Sequence, residues 1–209
     1  MTGPVVSLFD LSTVMVAPWR AAGHKATCVD LQAPDWSEQK VSSGTVWGEL
    51  THVRADVRDW IAGAMSQSPP PRIIFAFIPC TDTAVSGARH FQSKGLEAII
   101  NTLELWRVVV EYCETTGAPY MIENPVSTVS TYWRKPDYTF DPWQYGDLYS
   151  KKTCLWTGNG FKMPQPIHMR EPEGVDHNYI HHQPPGPERA NIRSATPPGF
   201  AKAVWEANQ

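Results

Sequence analysis

The chain has 209 residues, 42% of them hydrophobic and 19% charged, with a formal net charge of -3. That length suits one substantial core and is short for two full domains, so a single domain over 1–209 is expected. The charge excludes a general attraction to polyanions and leaves a local basic groove as the electrostatic route to nucleic acid. The apolar runs fall far short of the roughly 18 residues of a membrane span, so no membrane partner is expected. No obligate protein partner is implied either.

Val5-Val6-Ser7-Leu8-Phe9 reads as a first strand with no basic segment before it and no cleavage site after it. No secretory signal is expected, and the cytoplasm is the expected compartment. Ala17 to Ala22 forms a short helix that Gly23 ends, and Ala26 to Asp30 is the next strand. Thr51 to Arg54 is a further strand, followed by a surface helix over Val57 to Met65 that the Ser68 to Pro71 run terminates. Ile73 to Ile78 is continuously apolar, as in an inner strand of a parallel sheet covered on both faces.

Leu96, Ile99, Ile100, Leu103, Trp106, Val110 and Cys113 recur at helical spacing, and Gly117 stops that helix before the buried strand Tyr120 to Ile122. Strand, helix, strand is the βαβ unit, so the fold class is α/β with a mostly parallel sheet. From 126 to 195 prolines break a region rich in Trp and Tyr, leaving Thr153 to Trp156 as a strand. This region is expected to lie on the substrate side, over the mouth of the sheet. Pro198 to Ala207 closes the chain as a helix with Phe200, Val204 and Trp205 turned inward.

Ligands of an open parallel sheet bind outside the carboxyl ends of its strands, and Asp10, Asp30, Cys80 and Glu123 fall at such ends. Asp30 could accept hydrogen bonds from ribose hydroxyls of an adenosyl cofactor, or be a solvated turn residue. Asp56 could face an adenine amino group, or cap the helix that starts at Val57. Cys80 follows an apolar strand and Pro79, a placement that favours a reactive thiolate over an inert buried thiol. Glu123 follows a buried strand, where desolvation can keep a carboxyl protonated as a general acid; a salt-bridged structural role is the alternative.

Cys28, Cys80, Cys113 and Cys154 are spaced too widely for a zinc motif, and free thiols are expected. His177, His181 and His182 lack a carboxylate or Cys set to complete a site, so no metal is expected.

In order along the chain, these segments resemble the cytosine-C5 DNA methyltransferases, in particular small phage-type members without an evident target-recognition domain. Val6 to Leu11, with Ala21-Ala22-Gly23 and Val29-Asp30, is similar to the first cofactor motif. Phe77-Ile78-Pro79-Cys80 resembles the nucleophile motif, and Ile122-Glu123-Asn124-Pro125 the glutamate motif. Gly146 with Lys151 to Trp156 resembles the basic motif, and Ala195-Thr196-Pro197-Pro198 the final one. The resemblance implies a Rossmann-like S-adenosylmethionine-dependent methyltransferase fold, located in the host cytoplasm if phage-encoded.

By the same resemblance, Cys80 would attack C6 of cytosine while Glu123 engages N3. Pro79, Arg89, Asn124, Lys151 and Lys152 would contact substrate. Phe9, Asp10, Leu11, Asp30, Asp56 and Thr196 would contact S-adenosylmethionine, and the partner would be DNA or a cytosine nucleotide.

Two departures bear on these expectations. Asp10 to Met15 stands where a glycine-rich turn is expected, which alters how the cofactor is placed. Only about 35 to 40 residues separate the basic and final motifs, fewer than the roughly 50 of a small domain.

From Trp133 to Trp156 seven aromatic residues interleave with Arg134, Lys135, Lys151 and Lys152. They could stack on bases or form a satellite core. Arg89 is the preferred phosphate contact, with Arg189 and Arg193 as further candidates. Besides DNA methylation, methylation of a free pyrimidine nucleotide such as deoxycytidylate and a non-catalytic nucleic-acid- or protein-binding module stay open.

Overall fold

A computed structural model of the chain describes residues 3–34, 47–66 and 69–209. Seven strands form one sheet: β1 (Val5–Leu8), β2 (Ala26–Val29), β3 (Leu50–Val53), β4 (Ile73–Ala76), β5 (Tyr120–Pro125), β6 (Tyr138–Phe140) and β7 (Thr153–Gly158). Their order is β3-β2-β1-β4-β5-β7-β6. β1 to β5 run parallel, and β7 runs antiparallel to both β5 and β6. The fold is mixed α/β and Rossmann-like, with the chain reversing its direction of travel across the sheet between β1 and β4.

Every residue of β1 and β4 is buried, because helices cover both faces of the sheet. On one face Val6, Leu8, Ile74, Ile122 and Trp156 pack against α2 (Val57–Ala64) and α3 (Phe91–Thr116) through Ile61, Trp106, Val109 and Cys113. On the other, Val5, Phe75, Met121 and Leu155 meet Trp19 of α1 (Ala17–Ala21) and Phe200 and Val204 of a C-terminal helix, Pro198–Ala207. Two helical layers therefore sandwich the sheet and fix where its strand ends open.

The long helix differs from its expected stripe. Leu96 and Ile100 are 77% and 55% exposed, and the buried face runs instead through Thr102, Leu105, Trp106, Val109, Tyr112 and Cys113. Six of the eight positions from Leu103 to Val110 are apolar, a band too broad for period alone to single out its centre. Trp106 decides it by packing 5.1 Å from the Trp156 ring and 6.0 Å from Trp133. Gly95 (φ 74°) bends the helix, and Gly117 (φ 66°) ends it in the left-handed conformation that suits glycine.

Several short elements carry no sequence signal of their own. β6 is three residues whose pairing with β7 makes them a strand. α4 (Val129–Tyr132), α5 (Tyr179–His182), α6 (Arg189–Ser194) and the 3-10 turns Val85–His90 and Pro142–Tyr145 are each six residues or fewer, too short for a period to show. The C-terminal helix, α7, begins at Pro198 as expected, and its Gly199 N–H donates to Asp147 Oδ2 at 2.9 Å. The expected helix-ending run opens at Ser68, which lies outside the described residues. Among the described residues, no helix is long and apolar enough to cross a membrane.

Candidate active site

The carboxyl ends of β4 and β5 carry the two reactive groups. Cys80 lies in the loop after β4, with the Thr83 and Ala84 N–H groups donating to its carbonyl at 3.1 and 2.8 Å. That loop is fastened to the one after β5: Val85 N–H donates to the Val126 carbonyl at 3.0 Å and Thr128 N–H to the Thr83 carbonyl at 2.9 Å. Asn124 Nδ2 donates to the Ile78 carbonyl at 2.7 Å in a buried bond. The Pro-Cys and Glu-Asn-Pro segments thus behave as one unit, and Asn124 acts through the backbone that aims Cys80.

Cys28, Cys113 and Cys154 are buried, whereas Cys80 is half-buried beside the exposed Pro79. Burial pushes the Cys80 thiol up and the negative charge of Glu123 adds to this, while Lys151, its own backbone N–H and Arg193 pull it down. Glu123 pairs across the sheet with Leu155, and its Oε1 is buried without a hydrogen-bond partner. Burial holds its carboxyl above the usual glutamate range, against the pull of Lys151. A raised carboxyl holds its proton to higher pH than an exposed glutamate does, which suits an acid.

Lys151 precedes β7, its backbone N–H on Asp141 Oδ1 at 2.9 Å, and its charge reaches both Cys80 and Glu123. Lys152 is exposed and acts on Asp141 and Cys154 instead. Of the lysine pair, Lys151 faces the site. Glu123 and Lys151 share a narrow cavity with Thr153 and Thr196, closed by Phe77, Phe140, Pro197 and Phe200. Arg89 is exposed on the 3-10 turn, its Nε donating to His90 Nε2 at 3.0 Å.

At the end of β1 the chain takes positive φ at Phe9 and Thr13, both 57°. The turn without glycine still makes left-handed bends, at a cost in strain. Asp10 offsets that cost: its carboxylate accepts from Ser7 Oγ (2.8 Å), Ser12 Oγ (2.9 Å) and Thr13 N–H (2.8 Å). Both oxygens are therefore used by the loop, of which Leu11 is a half-buried member.

Asp30 is half-buried at the tip of β2 and accepts the Gln32 N–H at 2.7 Å. Asp56 caps α2 through the Arg58 N–H and pairs with the Arg58 guanidinium at 2.6 Å. Those bonds hold its carboxyl below the usual range.

The proline-rich region folds back over this edge. Tyr149 lies 4.4 Å from the Tyr179 ring, and Ser150 N–H donates to the Asp176 carbonyl at 3.2 Å. Burial and nearby negative charges, Glu123 among them, push the Tyr149 phenol up. Tyr149 was not singled out in the sequence, where it is one aromatic residue among many. Phe140 and Tyr145 pack with Phe200, and Trp156 with Trp106, so these members of the aromatic run form core. Tyr132, Trp133 and Tyr138 stay exposed. His177 contacts Ser150 and Glu171, and among the described residues no cluster of His, Cys, Asp or Glu is set to hold a metal.

No family model and no curated protein matches this chain. Solved structures do, among them an E. coli prophage protein described as a "putative DNA modification methyltransferase". The match has a TM-score of 0.44 and 13% identity, and covers 75% of this chain and 46% of that one. This chain thus spans less than half of that protein, and a likeness of this strength fixes neither activity nor substrate.

Proposed function

We propose that the chain methylates C5 of cytosine in DNA, with Cys80 as nucleophile and Glu123 as acid. The observation that carries this reading is a half-buried thiol on the loop after β4 and, on β5, a carboxyl with an unpartnered oxygen, with the loop and the strand tied together through Asn124 and Ile78. The Cys80 thiolate attacks C6 of the ring while protonated Glu123 donates to N3, so electron density gathers at C5. Lys151 steadies the negative charge that develops, and Asn124 keeps the two loops in register. Once C5 carries the methyl group, its proton leaves to solvent, N3 returns its proton to Glu123, and Cys80 is expelled as the thiolate, which frees the product.

S-adenosylmethionine, when bound, supplies the electrophilic methyl group. The residues present fit it in part. Asp30 stands at the tip of β2, beside the point where the sheet order reverses, where a carboxylate can accept from ribose hydroxyls. The bends at Phe9 and Thr13 stand in for a glycine turn, with Leu11 in the same loop. Asp10 supports that loop rather than offering a free oxygen, and Asp56 is engaged with Arg58. Thr196 belongs with Glu123 and Lys151 rather than with the β1 loop.

A second reading, methylation of a free pyrimidine nucleotide such as deoxycytidylate, draws on the narrowness of the cavity around Glu123. Labelled S-adenosylmethionine offered with DNA, RNA or deoxycytidylate separates the two. Transfer to cytosine in DNA supports the first reading and transfer to the nucleotide the second. Bound cofactor with no transfer to any of them overturns both in favour of a non-catalytic binding module.

A further inference from the structure

α6 carries Arg189 and Arg193 four residues apart, hence one turn apart on one face. Each has its Nε–H buried with no acceptor, and neither joins an ion pair among the described residues. Arg189 Nη2 donates to the His181 carbonyl at 2.8 Å, which fastens α6 to α5. The neighbouring Glu188 is occupied by Asn191 Nδ2 at 3.1 Å. Lys94 and Arg134, by contrast, are paired, with Asp82 and Asp137.

The Arg193 charge reaches Cys80, and three residues further on Thr196 lines the cavity that holds Glu123. A buried guanidinium N–H without an acceptor is a cost that an anionic ligand removes. The planar fork of arginine matches phosphate oxygens in pairs.

The geometry points to Arg189 and Arg193 as a phosphate clamp, seating a phosphate of the nucleotide whose base meets Cys80 and Glu123. The site then takes a phosphorylated unit rather than a free base or nucleoside. This rests on Cys80 and Glu123 being the reacting pair. The phosphate belongs either to a polynucleotide backbone or to a mononucleotide.

Iodoacetamide labelling of Cys80 tests the clamp without requiring methyl transfer, with the Cys80→Ser protein as the site control and circular dichroism confirming each variant's fold. Inorganic phosphate, by neutralising Arg193, raises the pH at which wild-type Cys80 reacts and slows labelling at fixed pH. In Arg193→Gln the reactive pH is already raised and phosphate has no further effect. Arg193→Lys keeps the wild-type reactive pH but loses about tenfold or more in phosphate affinity, as does Arg189→Gln.

The two sources are distinguished by protection of Cys80 with deoxycytidylate against deoxycytidine, and with a single-cytosine oligonucleotide against the same strand carrying a methylphosphonate beside the cytosine. Protection that needs the phosphate and is lost in Arg193→Gln identifies the source. Equal phosphate effects in wild type and Arg193→Gln, or none in either, overturn the clamp. Methyl transfer in such a protein leaves the reading of Cys80 and Glu123 standing, and phosphate protection in a protein that transfers no methyl does the converse.

Discussion

Asp10 and Glu123 both stand at the carboxyl edge of the sheet, yet their surroundings differ. Asp10 is met by two hydroxyls and a backbone N–H, whereas Glu123 Oε1 is buried with no partner. Burial raises both carboxyls, so a raised carboxyl does not by itself separate scaffold from chemistry. The hydrogen bonds do: Asp10 is consumed in shaping a strained loop, and Glu123 keeps an unmet oxygen beside a thiol.

The contrast is sharpest under substitution. Cys80→Ser is expected to lower turnover by roughly 10⁴-fold or more with the fold intact, measured by labelled methyl transfer and thermal melting. Glu123→Gln is expected to lower it by about 10²- to 10⁴-fold, because the amide cannot donate the proton. Where the Glu123 carboxyl is ionised its charge opposes formation of the Cys80 thiolate, so iodoacetamide should label this thiol at lower pH in Glu123→Gln than in wild type.

Stability should move the other way. The folded protein holds the Glu123 proton above the usual glutamate value, so this group's contribution falls as pH rises from about 4.5 through its raised folded value. Gln has no such term, and the variant should gain on wild type across that window in urea titrations. A wild-type advantage growing with pH would mean that Glu123 is salt-bridged instead.

Asp10→Ala is the opposite case. Losing three bonds at a buried site should cost about 2–4 kcal/mol of unfolding free energy in urea. Asn124→Leu should cost about 1–3 kcal/mol, since the Ile78 carbonyl is left unpaired, and should slow labelling of Cys80. The smallest effect separates the lysines. Lys151→Gln should raise the pH of Cys80 labelling by a fraction of a unit to about one unit, and Lys152→Gln should leave it unchanged.

The strands and main helices were legible because buried parallel strands read as unbroken apolar runs such as Ile73 to Ala76, and because Gly117 and Pro198 punctuate helix ends. The face of the long helix was not, since Trp106 chooses it through partners 27 and 50 residues away in sequence. At the site, strand-end placement singled out Cys80 and Glu123 from local pattern. Which lysine faces them depends on where β7 begins, and that the Arg193 charge reaches Cys80 depends on a fold-back of the proline-rich region. Asp56 showed its capping role in the residues that follow it, whereas the use of both Asp10 oxygens depends on hydroxyls at Ser7 and Ser12 that only the folded turn brings together.

The central claim is that Cys80 bonds to the ring it helps to methylate, and an oligonucleotide containing 5-fluorocytosine tests it most directly. Fluorine in place of the C5 proton blocks the final elimination, so wild-type protein with S-adenosylmethionine should form a denaturation-resistant adduct that peptide mass mapping assigns to Cys80. The Cys80→Ser protein should form none. An adduct on Cys28, Cys113 or Cys154, or methylation of ordinary cytosine that persists in the Cys80→Ser protein, would contradict the account.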